Sequence, residues 1–420
     1  MSCVNMNVVD LPLSATLEIN EKSNLMIAQG KKVYKLGLGQ SPFPVPVPVV
    51  ESLKKYAYIK DYLPVKGLYE LREAVRKYYL KSQGIEIETD NILIGPGSKE
   101  LMFIAQLVMY SELLLPSPSW VSYAPQAKIL GRKVSWLNTT KANDWLLKAG
   151  TLEEYCKNNP NTSKVMILNY PNNPTGKTYN EGQLKEIAEV ARRFGVIIIS
   201  DEIYGELHHE GKHISIAKFY PEGTIISSGL SKWCGAGGWR LGTFAIPKEL
   251  SWLADKMASV ASETFTSVSA PIQYASIRAF EFDDEIVDYL NRSRRILKGL
   301  ALYIYDSFNK VGIDTPLADG AFYYLPDFSK LKDKLNRKGI YTSRQLCSTV
   351  LDETSVAFLP GDDFGRPSDE FTARIAYVDF DGEVALEAAK KEEVDEKFLR
   401  KYCANTIEAI DRVCDWVSGL

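Results

Sequence analysis

Apolar residues in the middle of the chain recur in short unbroken runs, at 92–94, 113–115, 133–137, 165–168, 196–199, 224–227 and 243–246. Longer stretches with a helical apolar period separate them. Unbroken apolar runs suit strands covered on both faces, so the pattern predicts an α/β fold with a mostly parallel seven-stranded sheet flanked by helices. At 68–81, Leu71, Val75, Tyr78 and Tyr79 share one helical stripe. At 180–195, Asn180 is an N-cap with Gln183 three residues on, Leu184, Ile187, Ala191 and Phe194 form the buried face, and Gly195 stops the helix. A long helical pattern at 284–311 ends at Gly312 and predicts an interdomain helix.

The flanking regions alternate on a smaller scale. Residues 17–29 read as a helix and 33–36 as a short strand, while in GLGQSPFPVPVPV the prolines alternating with valines predict an extended crossing and no helix. Runs at 320–325, 355–359 and 374–377 read as strands, the chain from Glu383 on as charged helix, and 406–417 as a docking helix carrying Ile407, Ile410, Val413 and Val417. The expected organisation is a large domain over 49–285 and a small α+β domain built from both termini, 1–48 and 286–420. No repeat or low-complexity linker appears.

Composition narrows the function classes. In 420 residues, 45% hydrophobic and 25% charged content are ordinary for a globular protein, and a net charge of -3 without a basic block argues against nucleic acid and anionic membranes as partners. No apolar run reaches the length of a membrane span, and MSCVNMNVVDLPLS has no leader character. Cys3, Cys156, Cys234, Cys347, Cys403 and Cys414 lack Cys-x-x-Cys spacing, so free thiols in a cytoplasmic setting are expected. His208, His209 and His213 crowd into ELHHEGKHIS, where a solvated loop is expected and no metal site.

Candidate chemistry centres on residues 227–242, SSGLSKWCGAGGWRLG. Lys232 sits among small residues, and a lysine in a cramped, partly apolar site has its ammonium form disfavoured, freeing the amine to attack an aldehyde. Arg240, eight positions on, suits a phosphate. Pyridoxal phosphate carries both groups; a glycine-rich turn with incidental charges competes with this reading.

Four further stretches bear on it. Asn173 in LNYPNNPTG lies on a turn after a strand, and Asp201 in IIISDEIYGEL ends the next strand, where parallel sheets open their ligand crevice and a carboxylate can keep a pyridine nitrogen protonated. Gly97, Ser98 and Lys99 begin a helix whose free amides would face an anion, and Trp120 in PSPSWVSY can stack on a flat ring. Each has a structural alternative: a strand-ending turn, a helix cap, a packing tryptophan.

Taken in order, Asn173-Pro-Thr-Gly176, Asp201-x-x-Tyr204, Ser231-Lys232 and Arg240 resemble the class I/II aminotransferases, the aspartate aminotransferase-like group of pyridoxal-phosphate enzymes of fold type I, over about residues 14–381. The resemblance implies that Lys232 bonds the cofactor and shuttles a proton, that Asp201 pairs with the pyridine nitrogen, and that Tyr204 and Asn173 hold the ring oxygen. It further implies Trp120 stacking on the ring, and Ser98, Lys99 and Arg240 on the phosphate, joined by Tyr62 of a neighbouring subunit in a homodimer. Arg374 in ARIAYV would grip the substrate α-carboxylate with help from the Gly39 backbone, and Trp120 and Asn173 would also line the substrate site. The implied reaction moves the amino group of an L-amino acid to a 2-oxo acid such as 2-oxoglutarate in two half-reactions. Three positions before Lys232 stands Gly229, where many members carry a phosphate-binding serine; Ser228 or Ser231 are the substitutes at hand. A β-eliminase or carbon-sulfur lyase would use the same core residues, and a non-catalytic sensor is a third reading. Arg278 and Arg294 are available to a distal carboxylate but are expected at the surface.

Overall fold

The computed structural model describes residues 4–9, 11 and 15–420, so Cys3 lies outside the described residues. The seven apolar runs form seven strands of one sheet: β1 (Ile92–Gly95), β2 (Glu112–Ser117), β3 (Val134–Asn138), β4 (Lys164–Asn169), β5 (Ile197–Asp201), β6 (Thr224–Gly229) and β7 (Gly242–Ala245). Their order is β1-β7-β6-β5-β4-β2-β3, and only β7 runs antiparallel to its neighbours.

Alternation along the strands feeds two cores. Leu113, Leu115, Ile167, Ile199 and Ile225 pack on one face against Leu101, Met102, Leu253 and Met257 of helices Ser98–Val108 and Ser251–Glu263. Leu114, Met166, Leu168 and Ile198 pack on the other against Leu152, Leu184 and Ile187 of helices Ala149–Asn158 and Glu181–Phe194. Burying each large aliphatic chain contributes about 1.5–3 kcal/mol, which is why strands with no polar face are stable only between two helix layers. The cap read from the sequence is present: Asn180 Oδ1 accepts from Gln183 N, Gln183 Oε1 accepts from Asn180 N, and Gly195 closes the helix at φ 62°.

The second body joins the two ends of the chain. Tyr34–Lys35 pairs in parallel with Val356–Ala357, and Leu359–Pro360, Ala373–Ala376 and Tyr323–Tyr324 form an antiparallel three-stranded sheet. The run at 355–359 is thus two strands in two sheets. That at 320–325 is shorter than expected because Gly320 N donates to Gly176 O and Ala321 N to Leu207 O, which binds these residues to the large-sheet side. Helix Asp284–Lys310 is capped by Asp283, and Phe398, Leu399, Ile407, Ile410 and Val413 near the C-terminus are buried in the same core as its Leu297, Leu300 and Ile304.

Two expectations need correction. The Val-Pro segment is extended only to Pro46; helix Val47–Tyr56 begins there, with Pro48 in its first turn, where a missing N–H costs nothing. The histidines are also no solvated loop: His209 is buried between the carbonyls of Ala318 and Ala321, and His213 Nε2 is 2.8 Å from the buried Glu202 carboxylate. A carboxylate in the interior needs partners, and the polar loop folds inward to supply one. Among the described residues, no helix is long and apolar enough to cross a membrane, and no cluster suits a metal ion.

Candidate active site

Strands β2, β4, β5 and β6 end on the same side of the sheet, and a cleft of about 700 Å³ opens there against the smaller body. Gly39, Ser98, Lys99, Trp120, Asn173, Asp201, Tyr204, Lys232, Arg240 and Arg374 all line it. Tyr62, by contrast, is 88% exposed and absent from the cleft of its own chain.

Lys232 follows β6, and its Nζ donates to Gly39 O at 2.8 Å. Burial, with a smaller push from Arg374, lowers its amine to about 8 against the opposing pull of Asp201. An appreciable fraction is therefore the free amine near neutral pH. Asp201, at the end of β5, is 3% exposed. Burial raises its carboxyl to about 6, opposed first by the Tyr123 hydroxyl, which donates to Oδ2 at 2.5 Å. A carboxylate held in such surroundings with so few donors favours a cationic neighbour.

At the end of β4, Asn169 Nδ2 donates to Asp201 O and Asn169 Oδ1 accepts from Asn173 N, both at 2.8 Å, so the turn is fastened to the neighbouring strand end. The Asn173 side chain is buried and its Oδ1 has no hydrogen-bond partner among the described residues. Gly176 closes the turn at φ 71°, and a Cβ there would meet the Ala318 Cβ at 2.8 Å, so the small-body segment can approach only a glycine.

At the start of helix Ser98–Val108, Gly97 adopts φ 94°, and its missing side chain lets the Arg240 guanidinium pass over the first turn. Arg240 is itself at φ 56°, a strained region for a non-glycine residue, and donates to Gly237 O (2.8 Å) and Pro96 O (3.3 Å). Lys99 Nζ stands 4.9 Å over the Trp120 ring with no carboxylate partner among the described residues. Its amine is lowered by burial first and Arg240 second. Gly229 cannot be a serine in this backbone, since a Cβ would lie 2.6 Å from Leu241 O; Ser231 lines the cleft instead, and Ser228 does not.

Arg374, 4% exposed, lies between the rings of Tyr323 (5.0 Å) and Phe364 (5.3 Å), and its Nη2 donates to Gly37 O. Its Nε is buried without a partner. Arg278 and Arg294 do not line the cleft: Arg278 pairs with Glu281, Asp283 and Glu285, and Arg294, less exposed than expected, pairs with Glu206.

Tyr123 and Tyr323 line the cleft although the sequence did not single them out. Tyr123 stands three residues after Trp120, where its ring packs edge-on to the indole at 5.2 Å, and that spacing was the available signal. Tyr323 sits in a strand of the smaller sheet, where nothing in an apolar run marks one tyrosine as facing a ligand.

The residues present fit pyridoxal phosphate. The Asn173 Nδ2, which donates to nothing among the described residues, suits a ring oxygen, the sparsely bonded Asp201 a protonated ring nitrogen, the helix start with Arg240 a phosphate, and the unpartnered Arg374 Nε a carboxylate.

The sequence pattern described as "Aminotransferase class I and II" matches residues 31–388. The chain is 32% identical over 381 residues to an aspartate aminotransferase of Geobacillus stearothermophilus, covering 88% of this chain and 93% of the relative. It is 32% identical over 385 residues to aromatic-amino-acid aminotransferase 2 of Thermococcus litoralis, covering 87% of this chain and 94% of that one. The fold is similar to the Thermus thermophilus aspartate aminotransferase solved with maleate, at a TM-score of 0.83 and 26% identity over 93% of this chain and 98% of the other. From the sheet order to the filled positions around Lys232, fold, cleft and sequence agree: the chain belongs to the class I and II aminotransferases.

Proposed function

We propose that this pyridoxal-phosphate-dependent transaminase takes the amino group from a dicarboxylic L-amino acid, with aspartate as the favoured donor, and passes it to 2-oxoglutarate. The observation that carries the choice is the charge of the cleft: Lys99, Lys232, Arg240 and Arg374 line it against the single carboxylate of Asp201. Arg240 with the helix start accounts for a phosphate and Arg374 for an α-carboxylate. Lys99, raised over Trp120 with no acid beside it, is left for a second carboxylate, while its backbone amide stays with the phosphate. The aspartate aminotransferase name of several relatives, and the maleate of the Thermus structure, support a dicarboxylate.

Bound pyridoxal phosphate supplies an aldehyde that takes up the amino group and a protonated ring that accepts the electron pair of the broken Cα–H bond. Lys232 Nζ, held by the Gly39 carbonyl, would be the base that carries the substrate α-proton, a placement worth about 10²–10⁴-fold. The Asp201 carboxylate would keep the ring nitrogen protonated, Asn173 Nδ2 and Tyr204 would hold the ring oxygen, and Trp120 would pack against the ring. Ser98, Ser231 and Arg240 hold the phosphate. Arg374, fixed between two rings, would hold the substrate α-carboxylate. The exposed Tyr62 reaches the phosphate of a second copy, which makes the working unit a homodimer; the domains divide near residues 49 and 285, and the setting is cytoplasmic.

The test is an absorbance titration of the cofactor-loaded protein with single amino acids. L-Aspartate should shift the visible band to the near ultraviolet at lower concentration than L-alanine or L-phenylalanine, and 2-oxoglutarate should restore it with release of glutamate. A preference for phenylalanine would overturn the dicarboxylate assignment.

A further inference from the structure

Tyr323 stands at the meeting point of three residues of the cleft. Its hydroxyl is 2.9 Å from the Tyr204 hydroxyl and 3.4 Å from Gly39 O, and its ring packs edge-on to Tyr204 and beneath the Arg374 guanidinium. It is 1% exposed, and a side chain on Gly39 would collide with its hydroxyl. Gly39 O is already the acceptor for Lys232 Nζ at 2.8 Å.

Two phenols and one carbonyl allow two proton arrangements, because each hydroxyl has one proton to give. In the first, Tyr204 donates to Tyr323 and Tyr323 to Gly39 O. In the second, Tyr323 donates to Tyr204, and the Tyr204 proton is free for an acceptor in the cleft. The contact to Tyr204 is shorter than that to Gly39 O, and Lys232 already occupies that carbonyl. The second arrangement therefore prevails once the cleft offers Tyr204 an acceptor.

We propose that Tyr323 is a positioning residue that turns the Tyr204 hydroxyl toward the cleft and strengthens it as a donor by donating to its oxygen. The inference rests on Tyr204 holding the cofactor ring oxygen. A hydrogen bond received by a hydroxyl makes it a better donor, so the pair favours the anionic ring oxygen and lowers the pH at which the bound cofactor loses its proton. The charged groups facing the two phenols are Lys232, 5.8 Å from the Tyr204 ring, Asp201, and Arg374 from the adjacent strand.

The experiment is a pH titration of the visible absorbance of the cofactor-loaded protein, without substrate, for the wild type, Tyr323→Phe, Tyr204→Phe and the double variant. Y323F should move the midpoint up by about 0.5 pH unit. Y204F should move it by about 1 unit or more, and the double variant no further than Y204F alone. A shift in Y204F with none in Y323F, or shifts that simply add, would overturn the role of Tyr323. No shift in Y204F would instead overturn the reading of Tyr204 on which it rests. Y323F keeps the ring under Arg374, so KM for the amino acid should stay near wild type while Tyr323→Leu raises it several-fold. If Y323F does not fold, Y323L carries the same titration, since it too lacks the hydroxyl.

Discussion

Asp201 and Glu202 are neighbours in the chain, both carboxylates, and 3% and 5% exposed, yet they serve opposite sides of one strand end. On the inner side, Glu202 accepts from Ser200 Oγ at 2.7 Å, Ser215 Oγ at 2.6 Å and meets His213 Nε2 at 2.8 Å. On the cleft side, Asp201 has one short donor, Tyr123 at 2.5 Å, while the Ile203 N–H at 3.4 Å and Ser227 Oγ at 3.5 Å are both long. The satisfied carboxylate ties the loop at 205–215 to the sheet. The under-satisfied one is held ready for a cation that arrives from outside. Burial alone does not separate a structural acid from a functional one; the deficit of donors does.

The comparison breaks most visibly in Asp201→Asn. It should lower kcat by about 10²–10⁴-fold, a range set by analogy with the loss of a well-placed proton-holding group, while the melting temperature of the cofactor-free protein is unchanged or higher. Glu202→Ala should do the reverse. Leaving His213, Ser200 and Ser215 without their acceptor costs about 3 kcal/mol of stability by chemical denaturation, with activity per folded molecule within a few-fold of wild type. Equal losses of activity in the two variants would erase the distinction.

A pH series of unfolding free energy on cofactor-free protein sharpens it. The Asp201 carboxyl is raised from 3.8 to about 6, so the folded state binds this proton more tightly than the unfolded chain. The contribution is full below about 4 and is lost as pH rises to about 6, amounting to at most about 3 kcal/mol. D201N should flatten that slope. Smallest of all, Tyr123→Phe removes the donor that holds Asp201 down, so the upper end of the slope should move above pH 6, with a cost of about 1 kcal/mol in stability.

The fold and most of the cleft were legible in the sequence because both follow from local signals. Unbroken apolar runs can be buried only between helix layers, and residues at the ends of parallel strands must gather on one side, so Asp201, Asn173 and Lys232 could be placed together before any coordinates. What was not legible depends on long-range packing. His213 looked solvated because the carboxylate it meets, Glu202, is fixed in the core eleven residues earlier, just past the end of β5, and nothing local in ELHHEGKHIS marks that partner. Tyr323 sits in a run that patterning assigns to a core strand, and only the approach of Gly39 and Tyr204 gives its hydroxyl partners. The run at 355–359 divides because Val356–Ala357 takes the N-terminal strand as its neighbour while Leu359–Pro360 takes Ala373–Ala376.

That pairing of Tyr34–Lys35 with Val356–Ala357 also dictates an order of events during synthesis. A chain emerging at ~5–20 residues per second presents its N-terminal strand tens of seconds before a partner for it exists. The seven-stranded sheet, complete at Ala245, can close in that interval, with Asn173, Asp201, Lys232 and Arg240 already in the chain. Gly39 cannot settle against Tyr323, nor Gly37 against Arg374, until the last part of the chain has followed. The large-sheet side of the cleft is therefore present in the chain early, whereas the side that carries Tyr323 and Arg374 comes only with the finished one.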